Sequence, residues 1–259
     1  MSSSLQTLIR DLHRRRGRER RGLALAEGVR LVEEALRAAI TIRGAVASPT
    51  LEATTRGRAL KAALSERGVK LEDVSEAELQ ELADTEHPQG IVTAVEPKKW
   101  GLGDIRLTNG TVTLVLDGVQ DPGNVGTMLR TALGLGAVGL VALKGTADLT
   151  NSKVIRAAMG ASFRLPAVSA APDELVAWAR LQRAEIWVAD TGGVNPGQLP
   201  PPTPARAPVA LIVGNEGAGV GPALEGAATR RIAIPLTHGV ESLNVAVAAG
   251  ILLYEVTRD

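Results

Sequence analysis

Short apolar runs alternate along the chain with longer segments whose apolar residues recur at helical spacing. In the C-terminal part, residues 112–116, 138–143, 186–189, 209–213 and 232–234 are mostly apolar runs of strand length, closed by glycine or polar residues. Such runs mark strands buried on both faces. Between them, 127–135 (stopped by Gly136), 151–159 and 173–183 carry helical signals. The N-terminal part repeats the alternation. A strand turns into an amphipathic helix over 23–36, strands fall at 40–47, 69–71 and 91–95, and a helix runs over 51–67 to a stop at Gly68. Ser75 and Glu78 have capping-box spacing and open a further helix. Strands alternating with helices predict an α/β protein built on a mostly parallel sheet covered by helices. The final segment, 243–254, is apolar on nearly every side, which predicts a helix buried all round.

The 259 residues suffice for one large or two ordinary domains. Residues 96–103 have linker composition, so the reading is an N-terminal domain over 1–97, a linker over 98–110 and a second domain over 111–259. The net charge is +1, so basic surface has to be local. The one clear concentration lies in the first 21 residues, which carry Arg10, Arg14, Arg15, Arg16, Arg18, Arg20 and Arg21. Two readings stand side by side: a solvated, partly disordered arm, or a phosphate-binding arm. Lys153 and Arg156 add two cations at i, i+3 spacing on one helix face.

Other classes are excluded or demoted. No apolar run approaches the roughly 20 residues of a membrane span, and the N-terminus lacks the apolar core of a secretory signal. The absence of cysteine rules out disulfides and thiolate metal sites and suits a cytoplasmic protein. His13, His87 and His238 are too scattered to suggest a metal site, and none is expected. With one Phe, one Tyr and three Trp, base stacking is at most a minor device.

Candidate chemistry sits in three loops. The turn 117–126 joins a strand to a helix and offers backbone N–H groups to an anion, though it has neither P-loop nor GxGxxG spacing. Arg130 lies farther along that helix and, taken alone, is an ordinary surface arginine. Glu216 follows a buried strand and is either a ligand-orienting carboxylate or a helix cap. Ser242 is a good N-cap for the last helix, and Asn244 poses the same question. His87 and His238 read as turn residues.

Taken as a set, NxGxxxR over 124–130, IVGNEG over 212–217 and IPLxxxxxSLNVAxAxGI over 234–251 resemble the three signature motifs of the SpoU, or TrmH-type, RNA 2′-O-ribose methyltransferases of the SPOUT superfamily. The resemblance covers about 112–259, and 148–166 resembles the segment between the motifs. AEGVRLVEEAL and HPQGIV resemble, more loosely, that family's N-terminal substrate-binding module, which is similar to ribosomal protein L30e. Leu236 stands where methionine is usual and Ala246 where serine is usual.

The resemblance implies a C-terminal trefoil knot, a feature periodicity does not reveal. It also implies S-adenosylmethionine as cofactor, held at Gly214, Ile234 and Leu243 with Glu216 and Leu236 nearby. It implies a homodimer with RNA held across the subunits. For the reaction it points to Arg130 as the group activating the ribose 2′-hydroxyl, with Asn124, Ser242 and Asn244 orienting and Glu216 anchoring the loops. Arg14, Arg15, Arg16, Arg18, Lys153 and Arg156 are the candidate RNA contacts. Ribosomal RNA is expected over transfer RNA, because relatives with such an N-terminal module act mostly on the large subunit. A non-catalytic RNA-binding protein and a phosphometabolite enzyme are the rivals; the second leaves the two C-terminal motifs without a role.

Overall fold

The computed structural model describes residues 4–199, 206–215 and 217–258. The chain forms two compact units. One comprises Met1–Lys99 together with Thr150–Arg164, the other Trp100–Leu149 together with Leu165–Asp259. The segment 150–164, read from sequence as part of the C-terminal domain, thus packs with the N-terminal unit. The expected linker is also structured. Ile105 is buried in the core of the second unit, and Trp100, Leu102 and Leu107 pack against that core.

In the first unit, β1 (Ala24–Glu27), β2 (Thr41–Ala47), β3 (Leu71–Asp73) and β4 (Ile91–Glu96) form a four-stranded sheet in the order β1-β4-β2-β3. Its β1–β4 and β4–β2 pairs are antiparallel and β2–β3 is parallel. Helices α1 (Leu5–Leu12), α2 (Arg15–Arg21), α3 (Val29–Arg37), α4 (Pro49–Glu52), α5 (Thr55–Glu66) and α6 (Glu76–Leu82) accompany it. The expected single helix over 51–67 is broken. Thr54 accepts the Gly57 N–H at 3.0 Å and caps a new start. A Cβ on Gly57 would lie 1.7 Å from the Leu51 carbonyl oxygen, so only glycine permits the corner.

The N-terminal segment is a pair of helices and not a loose arm. Leu5, Ile9 and Leu12 are buried in the core, and each such side chain contributes roughly 1.5–3 kcal/mol on leaving water. The arginine-rich α2 is too short to be stable alone. It is held by Arg18, which is 6% exposed. The Arg18 guanidinium donates to the carbonyls of Leu12 and His13 at 3.1 and 2.9 Å and to Thr150 Oγ1 at 3.2 Å. Helix α8 (Ser152–Ala158) completes this unit, with Ile155 in the same cluster as Leu31 and Val95.

In the second unit, β5 (Val112–Asp117), β6 (Gly139–Leu143), β7 (Ala167–Ala170), β8 (Glu185–Val194), β9 (Val209–Gly214) and β10 (Arg230–Ile232) form a six-stranded sheet in the order β10-β8-β9-β5-β6-β7. Every pair is parallel. The remaining helices are α7 (Pro122–Gly134), α9 (Pro172–Leu181), α10 (Pro222–Glu225) and α11 (Val245–Thr257). Leu175 and Trp178 of α9 and Leu224 of α10 share a core with Val115, Val141 and Ile212. Helix α11 packs on α7, β5 and β9.

The expectation that the last helix is buried all round does not hold in this chain. Val245, Ala249, Leu252, Leu253 and Val256 are buried, while Val247, Ile251 and Tyr254 are 51%, 39% and 55% exposed. They recur at i, i+4 and i+7, so they form one apolar stripe. Among the described residues no helix is long and apolar enough to cross a membrane.

Candidate functional site

The strand order reverses between β5 and β9: β6 and β7 extend the sheet to one side of β5, while β9, β8 and β10 lie on the other. In open parallel sheets ligands bind outside the carboxyl ends of the strands at such a reversal. Asp117 and Gly214 end the two strands as a register pair. A cavity of about 560 Å³ opens at this edge, within the usual range for small-molecule sites. Its apolar walls include Val213, Ile232, Ile234, Leu236, Leu243 and Leu252. Gly214, Ile234, Leu236 and Leu243, the described residues named for cofactor binding, all line it, as does Ser242. Glu216 lies outside the described residues.

Close hydrogen bonding sets the loops that form the mouth. Asn215 and Gly219 pair as a bridge, and Asn215 Oδ1 accepts the N–H groups of Gly217 and Ala218 at 2.9 and 3.1 Å. The Asn215 amide also donates to the Gly118 carbonyl at 2.9 Å. Asp117 Oδ2 accepts the Gly221 N–H at 2.7 Å. Gly214 is required by proximity, since a Cβ there would stand 2.3 Å from the Gly219 carbonyl group. Thr146 pins the other side, accepting from Gly118 N–H at 3.1 Å and donating to the Leu116 carbonyl at 3.0 Å.

Helix α7 begins five residues earlier than its periodicity suggested. Asp121 caps it by accepting the Asn124 N–H at 2.7 Å, and Pro122 occupies the first turn. Asn124 therefore sits in a helical turn and not in a loop. The cap of α11 is Asn244, and not Ser242 as the sequence suggested. Asn244 Oδ1 accepts from Ala246 and Val247 N–H at 2.9 and 3.3 Å, while its Nδ2 donates to Asn124 Oδ1 at 3.1 Å. Two helix N-termini, both favourable to negative charge, are thereby tied together beside the cavity-lining Leu243 and Val245.

Arg130 does not join this cluster within one chain. It lies six residues beyond Asn124, about 9 Å along the axis and on another face. It is exposed, and among the described residues it makes no hydrogen bond or ion pair. Of the other cations, Arg14, Arg15, Arg16 and Lys153 are exposed, with Arg15 paired to Glu19 at 2.7 Å. Arg18 is buried and committed to backbone carbonyls, so it is not a surface contact. Arg156 faces Glu27 at 3.9 Å, a carboxylate whose side chain is 6% exposed. Among the described residues no group of three or more His, Asp or Glu is placed to hold a metal ion.

Sequence reasoning missed Asp190 and Arg231, which also line the cavity. The signal was present: Asp190 and Thr191 close the apolar run 186–189 as polar loops close the other carboxyl-end strands.

A parallel sheet with a small-molecule cavity at the carboxyl ends of its strands, walled on one side by the capped helix α11, is the architecture of a ligand-binding α/β protein. The chain belongs to the SpoU rRNA methylase family, whose model matches residues 111–254. Residues 7–93 match the MRM3-like substrate binding domain. Among curated relatives, it is 35% identical to the 23S rRNA (guanosine(2553)-2′-O)-methyltransferase RlmP of Bacillus subtilis, over 95% of this chain and 93% of that protein. The AdoMet-bound rRNA methyltransferase from Sinorhizobium meliloti superposes with a TM-score of 0.86 at 30% identity, covering 100% of this chain and 95% of that one. The SpoU methyltransferase AviRb from Streptomyces viridochromogenes, solved in complex with AdoMet, gives 0.86 at 26% identity, covering 99% and 98%.

Proposed function

We propose that this protein is an S-adenosylmethionine-dependent RNA 2′-O-ribose methyltransferase acting on large-subunit ribosomal RNA. The observation that carries this reading is that Gly214 of the second motif and Ile234, Leu236 and Leu243 of the third line one cavity. Its apolar walls suit an adenine ring, and Asn215, Glu241 and Ser242 line it as polar groups, so the chain fits the cofactor. When bound, S-adenosylmethionine supplies an electrophilic methyl group on a sulfonium.

The rest of the chemistry falls to the chain. A ribose 2′-hydroxyl is a weak nucleophile until its developing charge is stabilised. The planar fork of Arg130 can grip the 2′-oxygen and a neighbouring phosphate oxygen together. Asn124, held by Asn244, orients the ribose; Ser242 lines the approach; Glu216 anchors the loops. Arg14, Arg16 and Lys153 supply backbone contacts to RNA.

The active form is a homodimer with RNA held across both subunits. Arg130, apart from the Asn124–Asn244 pair within its own chain, and the exposed stripe of α11 both support this. The C-terminal segment forms a trefoil knot. Pulling the chain from its two ends tests this, since a knotted chain extends to less than its full contour length.

Ribosomal RNA is favoured because RlmP and the Sinorhizobium protein are rRNA enzymes by name. The decisive experiment supplies labelled S-adenosylmethionine with ribosomal RNA, transfer RNA or neither. Methyl incorporation at a ribose of ribosomal RNA is expected. Arg130→Ala is expected to abolish incorporation while leaving cofactor affinity within about threefold, since a group that acts only in the transition state leaves ground-state binding alone. Cofactor binding without incorporation into either RNA would instead favour an RNA-binding protein that has lost catalysis.

A further inference from the structure

One end of the cavity carries charge that the proposed reaction does not use. Asp190 on β8, Arg231 on β10 and Glu225 on α10 all line it. Asp190 Oδ1 accepts the Gly192 N–H at 3.1 Å, and Oδ2 accepts from Arg231 Nη1 at 3.3 Å. Arg231 Nη2 is held on its other side by Glu225 Oε2 at 2.5 Å. A carboxylate offers about four lone-pair positions. Two on Asp190 are engaged, which leaves room for further donors from the cavity.

The sheet register locates this cluster along the length of the site. Val188 pairs with Ile212 in the parallel β8–β9 ladder. The ladder ends there, and Asp190 follows in the stretch over which β8 bulges between its Val188–Arg231 and Val194–Ile232 pairs. Asp190 lines the cavity together with Gly214, which is itself paired with Asp117. The sheet order places β8, β9 and β5 side by side, with Asp190 on the first, Gly214 on the second and Asp117 on the third. Adjacent strands lie about 4.8 Å apart, so β8 runs about 10 Å from β5. Helix α7 follows β5, and there Asn124 meets Asn244. The methyl group has to be presented at that end. What lies over β8 is therefore one of the two arms of the cofactor away from the sulfonium. The apolar Val213, Ile232, Ile234 and Leu252 that share the cavity with Asp190 suit the adenosyl arm over the charged methionyl one. A ribose diol offers two adjacent O–H donors, and an ionised carboxylate is the strongest side-chain acceptor for them.

We infer that Asp190 receives the ribose hydroxyls of the bound nucleoside cofactor, and that Arg231, braced by Glu225, is a positioning residue that fixes the orientation of the Asp190 carboxylate. This rests on the methyltransferase reading above. It differs from a purely structural tie between β8 and β10 in one measurable way: it makes the cavity sensitive to the ribose hydroxyls themselves.

The test is calorimetric binding to the full chain, with S-adenosylhomocysteine and its 2′,3′-dideoxy analogue as probes. The wild-type protein is expected to bind S-adenosylhomocysteine at least about tenfold more tightly than the dideoxy analogue, the scale of a charge-assisted hydrogen bond. Asp190→Ala is expected to weaken S-adenosylhomocysteine by about tenfold and the dideoxy analogue by less than about twofold, so the preference disappears. Arg231→Ala is expected to narrow the preference in the same direction. If Asp190→Ala does not fold, Asp190→Asn keeps the side-chain volume and reads the same ratio. Equal weakening of both ligands, or an unchanged preference, overturns the assignment while leaving the methyltransferase reading intact. If the wild-type protein binds neither ligand, both fall together.

Discussion

Asn244 donates through Nδ2 to Oδ1 of Asn124 at 3.1 Å, joining residues 120 positions apart. The same amide caps α11 through Oδ1, so one side chain starts a helix and fixes its distance from another. These two roles separate by substitution. Asn244→Ala removes both, and losing the cap alone costs about 1 kcal/mol. Asn244→Asp keeps a good cap but has no N–H to offer Asn124. The alanine variant is expected to lose both thermal stability and methylation rate. The aspartate variant should melt within about 1 °C of wild type, because a retained cap leaves little change in stability, yet lose about tenfold or more in single-turnover methylation. Equal melting losses in the two variants would show that the cap is not what the amide contributes.

The N-terminal arginines divide by the same kind of argument. Arg18 is buried against backbone carbonyls, whereas Arg14 and Arg16 are exposed. Arg14→Ala/Arg16→Ala is expected to leave the melting temperature unchanged and to reduce the salt slope of RNA binding by about 1.5, at roughly 0.7–0.9 per phosphate contact. Arg18→Ala is expected to do the reverse, lowering stability because two carbonyls lose their donor. Filter binding across a salt series, alongside thermal unfolding, reads both.

How far these features were legible in sequence follows from their range. The buried strands of the parallel sheet were readable because both faces are covered, which leaves runs such as 209–213 without polar residues. The loops after them were readable as a site for the same reason. The folding of the arginine-rich arm was not: it depends on Arg18 reaching Thr150, 132 residues away, and no local pattern encodes that partner. The early start of α7 was masked by the glycines at 123 and 126, whose low helix propensity is overridden by the Asp121 cap and Pro122. Arg156 looked like a surface cation because its partner, Glu27, sits on a strand far away in sequence.

A pH dependence follows from His13 and Asp84. Both ring nitrogens of His13 face acceptors, Asp84 Oδ1 at 3.1 Å and the Leu82 carbonyl at 3.0 Å, and only the imidazolium donates to both. The hydrogen bond to Asp84 raises the His13 pKa above its ordinary 6.5 despite partial burial. Hydrogen bonds from His13 and then Ser152 hold Asp84 at about 2 against its own burial. A raised histidine pKa stabilises fully below about 6.5 and loses that contribution as pH rises through the folded value. A depressed carboxylate pKa stabilises above about 3.8 and loses its contribution as pH falls toward 2. The pair therefore contributes most between about pH 4 and 6.5. In urea unfolding, the stability gap between wild type and His13→Asn is expected to shrink from pH 6 to pH 9. A gap that stays constant would mean that the imidazolium is not the stabilising form.

The stripe on α11 makes the last prediction. Val247, Ile251 and Tyr254 are exposed on a helix whose opposite face is buried. If a second copy covers them, Ile251→Asp puts a carboxylate into a closed apolar contact. Burying an unpaired charge costs several kcal/mol, enough to dissociate a dimer of micromolar or weaker affinity. Sedimentation is expected to show a dimer for wild type and a monomer for Ile251→Asp at the same concentration. The monomer should keep its cofactor affinity if its cavity, lined within one chain by Gly214, Ile234 and Leu243, needs no partner residue. Methylation should still be lost, because Arg130 stands apart from the Asn124–Asn244 pair in its own chain and would act on the pair of the other copy. Full activity in a proven monomer would return Arg130 to its own subunit and remove the dimer from the mechanism.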